Sequence, residues 1–346
     1  MSDYFFRGLS AHEKKIYDRV LDAVRTYQGS VKAGGLSRDR FAELILFTGA
    51  DHPELFYVDY KRVEIISGPG GPHTWRIGYL YPEKLARSEA AALEKRTQAL
   101  LSLPGAPFKG ADALVICRWV HDLIVKNVEY DDEALADSAA HPEAYTILGA
   151  LKSKRAVCQG IALTVSYLGE RLGVDMPMIQ GKGLSAIPAM SSSHGHAWNL
   201  AKADSGYVHL DVTWDLCISK PLHFLRYDYF CIDEADILRD HVITDALLPG
   251  RGVGESYFAR TGCDFTDFAS CKDWLQGQMA AQKHTFYFRC RSKKESYGQL
   301  EQKLTRYVER KCPDMIPFGM QVEIQTQHNP EQGVFLYKLT KTGGNV

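Results

Sequence analysis

Apolar residues recur at helical spacing from early in the chain. Ile16, Val20 and Val24 form one stripe, and Ser10 with Glu13 makes the reciprocal cap that starts a helix before it. Ser37 is placed to cap a second helix running to Gly49. The period then changes to two. FYVDYKRVEII and HTWRIGYLY alternate as strands on either side of the turn-rich SGPGGP, and Pro82 opens a long helix. Asp51-His52-Pro53-Glu54, just ahead of the first strand, reads as a turn.

Further along, Val115, Trp119, Leu123 and Val125 mark a helix, and residues 143–152 a second. Cys158, Ile161, Val165, Leu168 and Leu172 fall on one face of a third. SSSHGHAWNLAKADSGYVHLDVTWD alternates as two strands joined at Asp204, Ser205 and Gly206, a β-hairpin. LPGRGVGES, 248–256, has the composition of a linker. Beyond it HTFYFRCRS reads as a strand, the stripe Leu300, Leu304 and Val308 as a helix, and MQVEIQTQ and GVFLYKLTK as two more strands. The expected architecture is α+β in three regions: a helical and β-hairpin subdomain over 1–107, a core over 108–248, and a small C-terminal βαββ module over 257–346. That module carries no motif, so a structural or partner-docking role is its default.

With 346 residues the chain can bury a core without staples, and its 45% hydrophobic and 24% charged residues are those of a folded globular protein. Lys plus Arg number 41 against 42 acidic residues, which leaves no global field to draw nucleic acid or an anionic membrane. MSDYFFRGLSAHEKK lacks the basic-then-apolar pattern of an export signal, and no run reaches the length of a membrane span; a cytoplasmic protein is expected. The eight cysteines are scattered without a CxxC pair, so they read as reduced thiols, most of them small buried residues.

Cys158 differs from the rest. It opens its helix, where unpaired N–H groups and the positive end of the dipole favour thiolate over thiol. In the hairpin, His194, His196 and Trp198 share one face of the first strand, and Tyr207, His209, Asp211 and Thr213 share one face of the second. A loop that pairs Lys202 with Tyr207 sets Trp198 opposite Asp211. His196 and Asp211 then lie diagonally on one face, about 7–8 Å apart between backbones; a three-residue loop would separate them to opposite faces. A cysteine at a helix start with a strand histidine and a neighbouring aspartate is what nucleophilic acyl transfer requires: Cys158 to attack, His196 to move the proton, Asp211 to hold the imidazole's tautomer. The Cys158 N–H is a natural oxyanion donor; a second donor is not assigned.

AVCQGIA, then GHAWN, then VHLDVTWD closely resemble the transglutaminase-like superfamily, whose papain-like core carries Cys, His and Asp in that order. The resemblance covers about 108–245, including KNVEYDD upstream and YFCIDEADILRDH downstream, and DHPE with its flanking helices is similar to the N-terminal part of some bacterial members. It implies that Cys158, His196 and Asp211 are the catalytic triad. Gln159 stands where many bacterial members carry Glu, which leaves the nucleophile untouched.

Trp198 and Trp214 are expected to pack around the site or to wall the acyl cleft as substrate-binding residues. His194 and His209 stay outside the triad as solvated strand residues, and GKGLSAIPAMSSS is either a flap over the cleft or a surface connection. The function expected is a cysteine-nucleophile enzyme acting on amide bonds of a protein or peptide substrate, by hydrolysis as a peptidase or amidase. The alternatives are amine transfer, as a protein-glutamine transglutaminase, and a catalytically inactive binding module. Nothing calls for a cofactor. A metal hydrolase built on His194, His196, His209 and Asp211 is the rival from another chemical class, and it leaves Cys158 unexplained.

Overall fold

The computed structural model describes residues 3–68, 71–184, 195–244, 252–315 and 321–342. The N-terminal region is built from α1 (Ala11–Arg25), β1 (Ser30–Ala33), α2 (Arg38–Asp51), β2 (Glu64–Ser67) and β3 (His73–Arg76). Ser10 Oγ accepts the Glu13 N–H while the Glu13 carboxylate accepts the Ser10 N–H, so α1 starts where the capping pair places it. Ile16, Tyr17, Val20 and Val24 pack with Phe41, Leu44, Ile45 and Trp75 in a core of their own, closed by an antiparallel sheet in the order β1-β3-β2. The strand expected from Phe56 onward is confined to Glu64–Ser67, because the chain before it is spent in turns.

A turn does follow α2, at Pro53 and Glu54. Asp51 has a further use there. Its buried carboxylate accepts the N–H groups of Phe5 and Phe6 and the Tyr17 hydroxyl, which fastens the start of the chain; burial nonetheless raises its pKa to about 6.

Two helices, α3 (Glu83–Leu101) and α4 (Ala113–Asn127), lead into the middle of the molecule. The helix expected over 143–152 is instead a 3-10 turn, Pro142–Tyr145, and a single π turn, Gly149–Ser153. Crowding breaks it: a side chain at Gly149 would meet the Ala144 Cα and the Arg155 carbonyl.

Then come α5 (Cys158–Leu172), β4 (Met178–Gly183), β5 (His196–Ala203), β6 (Gly206–Leu210), α6 (Val212–Ser219) and β7 (His241–Ile243). The sheet runs β6-β5-β4-β7, antiparallel throughout, with α5 packed on β5. The C-terminal sheet is ordered β8-β9-β11-β10, from β8 (Asp264–Phe265), β9 (Thr285–Cys290), β10 (Gln321–Thr326) and β11 (Val334–Thr342), with α7 (Phe268–Ala280) and α8 (Tyr297–Lys311) between strands. Its apolar side chains, Phe286, Phe288, Leu304 and Phe335 among them, belong to the same continuous core as Ile161, Val165, Leu200 and Val208. Residues 248–251 of the expected linker lie outside the described residues. The rest of it packs on the hairpin, with the Gly252 N–H on the Tyr207 carbonyl at 2.9 Å and Ser256 capping a short helical turn. Among the described residues no helix is long and apolar enough to cross a membrane.

Candidate active site

Cys158 is the first residue of α5, preceded by Val157 in extended conformation with no side-chain cap, so the helix's first N–H groups are left for other partners. Tyr130 lies beside Cys158, and burial with the nearby thiol raises the pKa of its hydroxyl. Gly160 lets this first turn press against the Pro142–Tyr145 turn, since a Cβ there would run into the Ala144 carbonyl. Asn199 ties β5 to the same helix: its Nδ2 lies 2.9 Å from the Ala162 carbonyl, 3.1 Å from Ser166 Oγ and 3.0 Å from the Met176 carbonyl, and its two hydrogens are shared among these acceptors. With three buried partners, that amide sets where His196, three residues away, stands relative to the thiol.

Lys202 pairs with Tyr207 and Asn199 with Leu210 across a two-residue loop, which is the register that brings His196 and Asp211 to one face. The second strand stops sooner than its alternation suggests. Asp211 is not a strand residue but the N-cap of α6, its Oδ1 accepting the Trp214 N–H at 3.0 Å, and Thr213 lies inside the helix. The aspartate therefore divides its oxygens: Oδ1 starts a helix, and Oδ2 receives His196 Nε2 at 2.6 Å.

Because Nε2 is engaged by Asp211, the other ring nitrogen of His196 is the one that can meet the half-buried Cys158 thiol. Burial alone would lower the His196 pKa, but the charge and hydrogen bond of Asp211 outweigh it and raise it to about 10. Burial would likewise raise Cys158, and the hydrogen bond and charge of His196, with the Ala197 N–H, bring it below its ordinary value. Asp211 is fully buried, yet the same histidine and a second one hold it well below the usual carboxylate range. These shifts favour thiolate and imidazolium together, with a carboxylate behind them.

The second histidine is His241 on β7, which sequence reasoning missed. Its Nε2 lies 3.1 Å from Asp211 Oδ2 and its Nδ1 2.7 Å from Asp240 Oδ1. The available signal was the Asp240-His241 pair ending the downstream segment of the resemblance. Trp198 and Trp214 are each 1% exposed and stack around the imidazoles of His196 and His241, so in this structure they pack the site from behind and offer no open wall to a substrate. The glycines Gly181 and Gly183 make room for the two indoles, which a Cβ at either position would strike.

His194 and most of the GKGLSAIPAMSSS stretch lie outside the described residues. His209 is buried rather than solvated, because Trp198 Nε1 donates to its Nδ1 at 3.1 Å and burial drives its pKa down to about 3. His328 behaves alike: it accepts the Leu336 N–H on Nδ1, and burial with the charge of Arg226 lowers it to about 4. Both rings stay neutral in the fold and would protonate near 6.5 once unfolded, so their contribution to stability is present above 6.5 and is lost as pH falls from there toward 4. Between pH 7 and pH 5 the two together cost about 4 kcal/mol. Urea unfolding of His209→Asn/His328→Asn, which keeps an acceptor near each Nδ1, is expected to lose that share of the pH dependence.

As metal ligands, His196, Asp211 and His241 have atoms within 4.8 Å of one another. The set differs from the one expected, because His209 is turned to Trp198. Its Nε2–Oδ2 separations of 2.6 and 3.1 Å are hydrogen-bond distances, and an ion would have to take the place of both.

Residues 105–212 match the family model described as the transglutaminase-like superfamily, and they form a domain of that superfamily. No curated protein matches the chain. Among solved structures, one described as "Crystal structure of a TGase" is 12% identical, with 53% of this chain and 50% of that chain covered at a TM-score of 0.27. A transglutaminase-like domain suits cysteine-based acyl transfer in general.

Proposed function

We propose that the protein is an acyl-transfer enzyme that uses Cys158 as nucleophile on amide bonds of a protein or peptide and resolves the acyl-thioester with water. The observation that carries this reading is the thiol at a helix start joined through His196 to Asp211, with shifts that favour thiolate and imidazolium together. Cys158 Sγ attacks the carbonyl carbon, and the oxyanion takes the Cys158 N–H at the helix start. His196 gives its proton to the departing amine as the C–N bond breaks, leaving the thioester. It then takes a proton from water, whose oxygen adds to the same carbon; the C–S bond breaks and the carboxylic acid leaves.

An apolar pocket lined by Leu55, Phe56, Val58, Leu80 and Leu163, with Lys61 at its side, opens beside Gln159, next to the nucleophile. It suits an apolar side chain flanking the reacting amide. All eight cysteines are free, as a reducing compartment such as the cytoplasm keeps them.

Alkylation by iodoacetamide at pH 5.5 and 7.5, mapped by mass spectrometry, tests the reading. Cys158 is expected to outpace the other seven thiols at both values, and His196→Ala to lose that lead by about tenfold or more at pH 5.5. A Cys158 that reacts no faster than the others in the unmodified protein would sink the proposal.

A further inference from the structure

The second ionisable partner of Asp211 has no part in the reading above. His241 is wholly buried and stands between two carboxylates, with Nε2 on Asp211 Oδ2 and Nδ1 on Asp240 Oδ1. A carboxylate oxygen only accepts, so a ring nitrogen of His241 that carries a proton donates to the carboxylate it faces. Asp240 is itself held: its Oδ2 accepts the Tyr229 hydroxyl at 2.8 Å and Gln332 Nε2 at 3.0 Å, and Asn329 Nδ2 donates to the Tyr229 oxygen at 3.1 Å. Asn329 and Gln332 lie between β10 and β11, so this chain of hydrogen bonds runs from the C-terminal sheet to the carboxylate behind His196.

We propose that His241, clamped by Asp240, Tyr229 and Gln332, is a positioning residue that fixes the Asp211 carboxylate for His196. The proposal rests on Cys158, His196 and Asp211 being the reacting centre. His196 and His241 share one oxygen of Asp211, and the other is committed to capping α6. With three donors on two oxygens the carboxylate cannot swing. Without the His241 donor, Oδ2 is held by His196 alone and the carboxylate can turn on its Cβ–Cγ bond. An Asp211 that turns no longer holds the imidazole of His196 in line with the thiol, and the thiol reacts more slowly. The other titratable groups that face this centre are Tyr130, Tyr145 and Lys61 beside the thiol, Asp132 and Cys217 on the α6 side, His209 on β6, and Tyr229 with Asp240 behind. None of these replaces a donor on Asp211 Oδ2.

The two amide substitutions at 241 separate positioning from packing. The amide nitrogen of Gln reaches where Nε2 stands, so His241→Gln keeps the donor to Asp211; that of Asn reaches only where Nδ1 stands, so His241→Asn keeps the contact with Asp240 and loses the one with Asp211. The measurement is the rate of Cys158 alkylation in the full chain from pH 4.5 to 8. Across this range His241→Asn is expected to react about three- to tenfold more slowly than the unmodified protein, and His241→Gln to stay within about twofold of it. Equal losses in both variants, or no loss in either, overturn the proposal. An unmodified protein whose Cys158 shows no lead over the other thiols removes the triad and this proposal together, whereas a fast Cys158 unmoved by His241→Asn removes the proposal alone. Should His241→Asn fail to melt cooperatively, Gln332→Leu takes its place. It strips one donor from Asp240, and a profile identical to the unmodified protein's overturns the proposal.

Discussion

Asp211→Asn is expected to fold and to lose its acyl-transfer rate by about 10³-fold or more, measured as turnover of a p-nitrophenyl ester. The cap on α6 needs an acceptor for the Trp214 N–H, so the amide oxygen of the new side chain stays there and the helix keeps its start. The amide nitrogen is then left facing His196 Nε2, which sits 2.6 Å from that position and donates to it in the unmodified protein. Two donors cannot share a hydrogen bond. The ring of His196 answers by moving its proton to Nδ1, and that nitrogen can no longer accept one from the thiol. The same change leaves Cys158 without its imidazolium, so its alkylation below pH 6 slows as well. An Asp211→Asn protein that turns over the ester and alkylates at the original rate would reduce Asp211 to a helix cap, a role its Oδ1 fills in any case.

The sequence was most legible where a short-range rule governs. The reciprocal cap of Ser10 and Glu13 placed α1, and the period-two pattern allowed a register, conditional on loop length, that brings His196 and Asp211 to one face; the two-residue loop selects it. Asp211 was misplaced by one step of the same logic. Alternation through Tyr207, His209, Asp211 and Thr213 continues the strand on paper, but an aspartate three residues ahead of a free N–H also starts a helix, and at this position the cap prevails. What could not be read were contacts between residues far apart in the chain. His241 is 30 residues beyond Asp211 and 45 beyond His196, and Gln332 is 92 beyond Asp240. No local period links them, and their meeting depends on how β7 joins the sheet's edge and how the C-terminal sheet packs. The burial of Trp198, Trp214 and His209 was hidden for a related reason: it depends on two glycines in β4, whose lack of side chains matters only once the strands are paired.

The largest loss of stability is expected from Asp228→Asn, about 3–5 kcal/mol in urea unfolding at neutral pH. Arg226 is 1% exposed and Asp228 fully buried, joined by two bonds of 2.8 and 2.6 Å, Nε to Oδ1 and Nη2 to Oδ2. Burial alone would lower the Arg226 pKa, and the charge of Asp228 more than reverses that. An amide in place of the carboxylate removes the countercharge and turns one donor of the guanidinium against another, while the cation stays where water cannot reach it. The pair also joins two parts of the chain. Arg226 Nη1 donates to the Gln327 carbonyl at 2.9 Å, and the Tyr287 hydroxyl donates to Asp228 Oδ1 at 2.7 Å while accepting the Tyr227 N–H. Replacing both partners, as Arg226→Met/Asp228→Leu, leaves no stranded charge and is expected to recover part of the loss, although the Gln327 carbonyl and the Tyr287 hydroxyl each lose a partner. A single Asp228→Asn change that costs less than about 1 kcal/mol would mean that water reaches the guanidinium after all. If the full loss is found, it should reach the thiol too, since Tyr229 follows Asp228 directly and Asn329 lies two residues beyond Gln327. Both help to hold Asp240, so loosening this junction at temperatures below unfolding should slow Cys158 at pH 5 in the same sense as removing the His241 donor.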